Sequence, residues 1–294
     1  MEIIDAQIHE PKPPIPLGGN YGKDVELLVN TEIAREAMDS VGVDAALVFA
    51  RQEYIDSCIG RYPNRFGGVV VFDHMAADLE EQIANYRKKP GNLAGRNLVG
   101  NAASAELRPE YAEGKFDRYW EYAARYDLPL FFSTHGWSHV MEPVAQKYPN
   151  LTMIIDHLGL SQSPVSPPRE DKWDRLPGIL GLAKYPNVHV KFSGVPLMSE
   201  SGKFPYEDAW PFLHKIIEGF TPDRLLWGTD FTRMRWIPQT SNELRPFKEW
   251  KYYSDCVNYL RDTNELSESD KEKMFGKTVR RVLRWQPSAA TTAS

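Results

Sequence analysis

Eight short runs of apolar residues recur along the chain, separated by longer segments with helical periodicity. The runs lie at residues 3–4, 45–49, 69–72, 93–99, 130–132, 153–155, 188–192 and 225–227. Their spacing, about 20 to 45 residues, leaves room for a helix after each run. Because near-continuous apolar runs are typical of parallel strands buried on both faces, the pattern predicts eight parallel β-strands joined by crossover helices.

Two of the intervening segments carry a clear apolar stripe. In residues 209–220 the apolar positions follow the i, i+3, i+4, i+7 rule, which predicts an amphipathic helix. The second segment begins at Ser267, three residues before Asp270, and this pairing is typical of a helix N-terminus. Apolar residues then recur at 274, 275, 279, 282 and 283, so the chain is predicted to end in a closing helix.

The predicted fold class is α/β, a TIM-type (β/α)8 barrel. A chain of 294 residues suits one such barrel, which ordinarily takes about 250 residues. We predict a single barrel domain over residues 1–287 and a disordered tail over 288–294. Three stretches rich in Pro, Gly or Ser, at 11–22, 161–168 and 237–246, are predicted to be long loops on the functional rim.

Composition and charge narrow the class of protein. Hydrophobic residues make up 42% of the chain, and the formal net charge is -5 without a run of Lys or Arg, so we expect no nucleic-acid partner. No apolar run approaches the roughly 18 residues of a membrane span, so no membrane association is expected. The two cysteines, Cys58 and Cys256, form no CxxC pattern, which argues against a disulfide framework and favours a cytoplasmic location.

The first strand ends in two inward polar side chains. Gln7 and His9 are two residues apart, so alternation places them on the same side of the strand. Buried amide and imidazole groups cost stability unless they are hydrogen-bonded or ligated. Two interpretations stay open at this point, a polar plug satisfied by its neighbours or part of a functional site.

Three further polar residues end later strands. His135, His157 and Asp230 each follow an apolar run. One such histidine alone is more often structural, but several strands that deliver His and Asp to one rim favour a site. Imidazole and carboxylate groups suit zinc or manganese, and the carboxylate can also take a proton from attacking water.

A set of short motifs resembles the amidohydrolase superfamily, in its amidohydrolase-2 branch of lactonases and decarboxylases, over almost the whole chain. The motifs are IDAQIH at 4–9, GVDAALV at 42–48, YPNRF at 62–66, THG at 134–136, DHLG at 156–159, VHVKFSG at 188–194, WGTDF at 227–231 and MFGKTVRRVL at 274–283. Each is weak alone, and their order makes the resemblance specific.

The resemblance implies roles for individual residues. His9, His135 and Asp230 correspond to metal-site positions, His157 to a histidine that aids catalysis, and Asp230 also to the general base. Gln7 departs from the family, which more often has His there. Since an amide oxygen is a weaker zinc donor than imidazole, the resemblance implies one divalent metal, zinc or manganese, that is weakly held or dispensable. Residues 93–101 contain no lysine to bridge two metals.

Several cations and aromatic residues are candidates for substrate binding. Each cation taken singly is better explained as a solvated surface residue, except Lys191, whose apolar neighbours predict burial. If two converge on the site, an anionic small-molecule substrate follows. The candidates for substrate binding are Arg51, Lys191, Arg233, Trp137, Tyr54 and Gln7, with Arg96, Arg235, Phe231 and Trp236 as further neighbours.

The catalytic candidates are therefore Asp230, His157 and His135. The leading hypothesis is hydrolysis of a small carboxylate-bearing lactone or ester by water that Asp230 activates. Metal-dependent decarboxylation of an aromatic or dienoic acid is the alternative, and a non-enzymatic binding barrel is the third reading. The sequence leaves the oligomeric state open, although the resemblance suggests a homodimer because related barrels commonly pair. His139, four residues after His135, is discounted as a ligand because it falls on the following helix.

Overall fold

The computed structural model describes residues 1–11, 22–162, 170–234 and 251–286, with the backbone alone for 233 and 234. Most of the predicted rim loops at 11–22, 161–168 and 237–246 lies outside the described residues, as does the tail at 288–294. The side chain of Arg233 and both Arg235 and Trp236 also lie outside them, so their predicted roles stay predictions.

Eight parallel strands form a nearly closed barrel, which confirms the predicted fold class. They are β1 Ile4–Ile8, β2 Ala45–Phe49, β3 Phe66–Val71, β4 Asn92–Leu98, β5 Leu130–Ser133, β6 Met153–Ile155, β7 Val188–Ser193 and β8 Leu225–Gly228. The strands pair in sequence order from β1 to β8. Beyond the end of β8, the Asp230 amide donates to the Gln7 carbonyl at 3.0 Å and so joins the last strand to the first.

Helices cover the outside of the barrel. The α-helices are α1 Lys23–Val41, α2 Gln52–Arg61, α3 Leu79–Tyr86, α4 Pro109–Ala112, α5 Asp117–Arg125, α6 Glu142–Lys147, α7 Leu176–Leu180, α8 Val195–Met198, α9 Trp210–Phe220, α10 Phe231–Met234, α11 Tyr253–Arg261, α12 Glu268–Glu272 and α13 Thr278–Leu283. Short 3-10 turns span Ser138–Met141, His157–Gly159, Gly181–Lys184, Glu207–Ala209 and Pro222–Arg224, and a π turn spans Lys273–Lys277. Among these helices, none is both long and apolar enough to cross a membrane.

The two helices singled out from periodicity are present. α9 buries Trp210, Leu213, Ile216 and Phe220 against the barrel. The Asp270 amide donates to the Ser267 hydroxyl at 3.1 Å, as the capping pattern predicts. The closing segment then runs through α12, the π turn and α13.

A bulge in β1 sets the direction of its polar side chains. Asp5 pairs with Ala46 and Ile8 with Val48, so three steps on β1 match two on β2. An extra residue of this kind shifts the side-chain alternation of the strand. Ile4 packs with the residues inside the barrel, whereas Ile8 packs with those between the barrel and the helices. The bulge therefore lets the strand present apolar residues to the barrel interior at its start and polar residues to the mouth at its end.

Candidate active site

A cavity of about 460 Å³ opens at the carboxyl ends of the strands. His9, His135 and His157 line it together with three arginines, Arg51, Arg96 and Arg108. Its other walls are largely apolar and come from β2, β3 and β4. The strand ends predicted from the sequence thus do meet at one rim, as the topology of a parallel barrel requires.

His9 and Asp230 form a close pair at this rim. His9 Nε2 lies 3.1 Å from Asp230 Oδ1, and Asp230 is only 4% exposed. His9 Nδ1 lies 2.6 Å from the Phe49 carbonyl oxygen, which accepts only, so Nδ1 carries a hydrogen. The Nε2 atom therefore faces both Asp230 and the Gln7 side-chain nitrogen, which is 3.0 Å away. In the neutral imidazole this Nε2 is the atom that can receive a proton.

His157 approaches the same carboxylate from the other side. Its Nε2 lies 3.7 Å from Asp230 Oδ2, and its Nδ1 lies 3.0 Å from the Ser193 hydroxyl. Burial, helped by the nearby positive charge of Lys191, holds the pKa of His157 well below its ordinary value. His157 is therefore neutral near pH 7, and in the tautomer whose Nδ1 accepts from the Ser193 hydroxyl, its Nε2 carries an N–H donor.

A buried cluster of charges lies under the cavity. Asp156 accepts from Lys191 Nζ at 2.5 Å and from Arg96 Nε at 2.9 Å, and all three side chains are almost completely buried. Burial lowers the pKa of Lys191 to about 8, with Asp156 opposing that effect. Burial acts to raise the pKa of Asp156, but Lys191 and Arg96 outweigh it and the pKa lies well below its ordinary value. Two cations and one anion leave the cluster with a net positive charge.

Aromatic rings surround these cations. Lys191 Nζ lies 4.7 Å from the centroid of the Phe49 ring and 5.5 Å from that of Phe131, and the Arg96 guanidinium lies 5.3 Å from that of Phe49. The ring faces attract the cations and exclude water from them. Lys191 is buried as predicted but does not line the cavity, whereas Arg96 is buried beneath it and still reaches its wall.

Three of the rim residues have a left-handed backbone. The φ angles of His135, His157 and Asp230 are 47°, 55° and 59°. Non-glycine residues adopt this region rarely, and such strain clusters at functional sites. The His135 carbonyl accepts from the Ser161 hydroxyl at 2.6 Å, and the His157 carbonyl lies 3.3 Å from the side-chain nitrogen of Gln162. Side-chain hydrogen bonds therefore fix the turns that aim these residues at the cavity.

The predicted metal ligands do not assemble into a metal site in the part of the chain that the structure describes. No group of three or more His, Cys, Asp or Glu side chains there is placed to hold an ion. His9 and Asp230 are in direct contact, whereas His135 Nε2 lies 3.1 Å from the Ser133 hydroxyl. The donor set of His9, His135 and Asp230 thus does not fit a bound ion in this geometry.

The two aromatic residues predicted to bind substrate, Tyr54 and Trp137, both make contacts within the protein. Tyr54 is wrong as a binding residue, because it is 1% exposed and its hydroxyl donates to the Asn30 carbonyl between α1 and α2. Trp137 is half-buried, donates from Nε1 to the Ala105 carbonyl and lies 4.2 Å under the Arg175 guanidinium. Tyr54 therefore packs within the helical layer, and Trp137 contacts residues of neighbouring loops.

Two other residues predicted to bind substrate, Arg51 and Gln7, differ in how far they are exposed. Arg51 is exposed at the end of β2 and lines the cavity, and its contact with an anionic substrate stays a prediction. Gln7 is completely buried and contacts His9, so it supports the site from behind the wall. His139 is exposed on the 3-10 turn after β5, in line with its dismissal as a ligand.

Three residues of the site were missed in the sequence. Asp156 stands beside His157 in the DHLG motif, and its position directly after an apolar run was the signal that could have found it. Arg108 reaches the cavity because Gly100 and Leu107 form an antiparallel bridge that folds the segment after β4 over the rim. Asp5 is the second residue of β1, where an acidic residue inside an apolar run was the available signal.

Comparison with known proteins places this geometry in a family. L-fucono-1,5-lactonase of Burkholderia ambifaria is 34% identical over 90 residues, which is 30% of this chain and 28% of that protein. 4-Sulfomuconolactone hydrolase of Rhizobium radiobacter is 30% identical over 122 residues, which is 36% of this chain and 38% of that protein. The chain spans well under half the length of these curated relatives.

The whole barrel has counterparts among solved structures. An amidohydrolase from Burkholderia multivorans, solved with bound zinc, superimposes with a TM-score of 0.68 over 97% of this chain and 100% of that one, at 16% identity. That likeness concerns the fold. The sequence profile described as amidohydrolase, Amidohydro_2, matches residues 4–285, which contain every rim residue described above. The barrel, the strand-end histidines and this match together show that the chain belongs to the Amidohydro_2 amidohydrolase family.

Proposed function

We propose that the chain hydrolyses a small lactone or ester that carries a carboxylate or sulfonate group. The observation that carries the proposal is the Asp230 carboxylate, held between His9 and His157 at 3.1 and 3.7 Å beside an arginine-lined cavity. Relatives that act on lactones, one of them a sulfonated lactone, support the same substrate class.

The proposed reaction uses only side chains of this site. Asp230 accepts a proton from water, and the water oxygen attacks the carbonyl carbon of the substrate. His157 donates from Nε2 to the carbonyl oxygen as negative charge develops on it, and the positive charge of Arg96 stabilises that oxygen further. The carbon–oxygen bond of the ester then breaks, and its oxygen takes the proton back from Asp230. One water is consumed, and a lactone yields one hydroxy acid, whereas an open ester yields an acid and an alcohol.

His9 and His135 have supporting roles in this proposal. His9 Nε2, at 3.1 Å from Asp230 Oδ1, can hold the proton between its removal from water and its delivery to the leaving oxygen. His135 lines the same cavity and offers a ring nitrogen to a polar group of the substrate. The divalent ion implied by the resemblance, zinc or manganese, stays a prediction, which addition of each ion to the assay tests.

The charge of the cavity selects the substrate. Arg51 and Arg108 line the same cavity as the histidines, and the cluster of Asp156, Lys191 and Arg96 adds a net positive charge beneath it. Guanidinium groups match carboxylate and sulfonate oxygens in geometry and charge. We therefore expect anionic lactones to have a lower KM than neutral ones of the same ring size.

The test is a panel of lactones with and without an anionic group, assayed with the purified chain in metal-free buffer, with zinc and with manganese. Asp230→Asn should lower kcat by about 100-fold or more, the usual worth of a general base. Asp73→Asn is the matched control, since Asp73 is exposed at the same end of the barrel and accepts from the Met75 amide at 2.9 Å. Full turnover by Asp230→Asn would refute the assigned role.

The same panel, extended with hydroxybenzoates, tests the alternative chemistry. Decarboxylation releases carbon dioxide, whereas lactone hydrolysis releases a hydroxy acid and no gas. Carbon dioxide from an aromatic acid, with no lactone turned over, would replace the hydrolase proposal by the decarboxylase one.

A further inference from the structure

The carboxylate of Asp5 is buried without a counter-ion among the described residues. Asp5 is 0% exposed, and its carboxylate accepts hydrogen bonds from two backbone amides and the Thr229 hydroxyl. The Tyr253 hydroxyl also faces this carboxylate and lowers its pKa. A buried charge is costly unless its surroundings satisfy it. A buried carboxylate within the first strand of a barrel needs an explanation, because an apolar residue would pack there at lower cost in free energy.

Three donors converge on this carboxylate. Its Oδ1 accepts from the Gln7 amide at 3.0 Å and from the Thr229 amide at 2.8 Å. Its Oδ2 accepts from the Thr229 hydroxyl at 2.5 Å. Asp5, the second residue of β1, therefore joins that strand to the residue that follows β8, at the place where the barrel closes.

The same contacts enclose Asp230. Thr229, which Asp5 holds by amide and hydroxyl, precedes it, and the Phe231 amide that follows it donates to the Thr229 hydroxyl at 3.1 Å. The Asp230 amide itself donates to the Gln7 carbonyl at 3.0 Å. The backbone amides of Thr229, Asp230 and Phe231 thus donate to Asp5 itself or to a residue that Asp5 binds.

The backbone at Asp230 needs such support. Its φ of 59° lies in the left-handed region, which a residue with a Cβ adopts only when its surroundings over-determine it. Relaxation to an ordinary φ would turn the carboxylate away from His9 and His157. The hydrogen bonds to Thr229 and Phe231 resist that rotation.

From this geometry we infer that Asp5 is a positioning residue, which fixes the carboxylate of Asp230 through Thr229 without touching the substrate. The inference rests on the proposed function in that it takes Asp230 as the reacting base. It explains the choice of a carboxylate, because the Gln7 amide, the Thr229 amide and the Thr229 hydroxyl all donate to Asp5, and only a carboxylate accepts at both oxygens.

An amide in place of Asp5 breaks one of the three bonds selectively. The oxygen of Asn can still accept from the amides of Gln7 and Thr229, but its NH2 group meets the Thr229 hydroxyl and leaves the hydroxyl hydrogen without an acceptor. Asp5→Asn should therefore fold and loosen the link to Asp230. Thr229→Val removes the same hydroxyl from the other side, and Thr229→Ser keeps it.

The kinetic test compares these variants on a lactone that the wild-type chain hydrolyses. Asp5→Asn and Thr229→Val should each lower kcat by about 10- to 100-fold with KM within about twofold, since a displacement of about 1 Å at a reacting group costs rates of this order. Thr229→Ser should restore most of kcat. The double variant Asp5→Asn with Thr229→Val should be no worse than either single one, because both break one link.

A matched control separates positioning from general loss of packing. The Thr278 hydroxyl is buried and donates to the Pro222 carbonyl at 3.0 Å, before β8 and so away from the rim. Thr278→Val removes a buried hydroxyl in the same way and should leave kcat unchanged. Wild-type kcat in Asp5→Asn, or equal loss in Thr229→Ser and Thr229→Val, would overturn the inference.

Crystal structures of the wild-type chain and Asp5→Asn give a readout that needs no substrate. The expected result is a shift of the Asp230 carboxylate relative to His9 in the variant, with the strands unchanged. An Asp230 carboxylate in the same place in both crystals would overturn the positioning role even if lactone hydrolysis is established. Absence of lactone turnover by the wild-type chain would refute the proposed function and leave the crystal comparison decisive for Asp5.

Discussion

Asp156→Asn is the substitution that tests the buried charge cluster most directly. Asp156 accepts from Lys191 at 2.5 Å and from Arg96 at 2.9 and 2.8 Å, with the three side chains 1%, 0% and 6% exposed. Removal of one partner from a buried ion pair leaves an uncompensated charge and typically costs about 3 to 5 kcal/mol. We expect this loss in the free energy of unfolding at pH 6.

The loss should depend on pH in a defined direction. Burial lowers the pKa of Lys191 to about 8, and Asp156 opposes that effect, so the pKa falls further in the variant. A lysine with a lowered folded-state pKa destabilises the fold at low pH, and stability recovers as pH rises from that pKa to the unfolded value. In the variant, the free energy of unfolding starts to rise at a lower pH than in wild type. The difference in free energy of unfolding between the two proteins should therefore shrink up to about pH 8 and then stay constant.

Urea unfolding of both proteins at pH 6, 7 and 9 measures this deficit. Lys191→Met added to Asp156→Asn should restore part of the stability, since it removes one unpaired cation from an aromatic environment. Glu80→Gln is the control, because Glu80 pairs with Arg125 on the surface and such pairs are worth less than about 1 kcal/mol. A deficit for Asp156→Asn below about 1 kcal/mol at pH 6, or one that grows with pH, would refute the reasoning.

Three further predictions follow from single contacts. A Cβ on Gly100 would lie 2.7 Å from the Thr134 carbonyl oxygen and 3.1 Å from the His135 ring. Gly100→Ala should therefore lower the free energy of unfolding by about 1 to 3 kcal/mol and reduce kcat, which urea unfolding and a turnover assay measure. Burial raises the pKa of Asp5 to about 6, so the wild-type chain loses stability as pH rises from about 4 to 6. An asparagine side chain does not titrate, so the free energy of unfolding of Asp5→Asn, measured in urea at pH 4 and 7, should rise by about 3 kcal/mol relative to that of wild type. Arg51→Ala should raise KM for anionic lactones by about tenfold, the worth of one charged hydrogen bond, and leave KM for neutral lactones unchanged, so an equal rise for both would contradict its role.

The strands and the rim residues were predictable from the sequence. The eight apolar runs match the eight strands to within a few residues at each end, because burial on both faces of a parallel strand selects a continuous apolar run. His9, His135, His157 and Asp230 follow such runs, and parallel strands in a barrel end at one rim. Local pattern and topology together therefore located this part of the site.

The contacts between these residues were decided only by the tertiary structure. The pairing of Asp156 with Lys191 joins β6 to β7, and that of Asp5 with Thr229 joins β1 to β8 across 224 residues. Such distances depend on strand register and on the bulge in β1, and neither leaves a periodic signal in the chain. Tyr54 shows the same limit, because its neighbours along the chain did not reveal which helix would pack over it. Periodicity is a property of neighbours in sequence, whereas the charge balance of the site depends on neighbours in space.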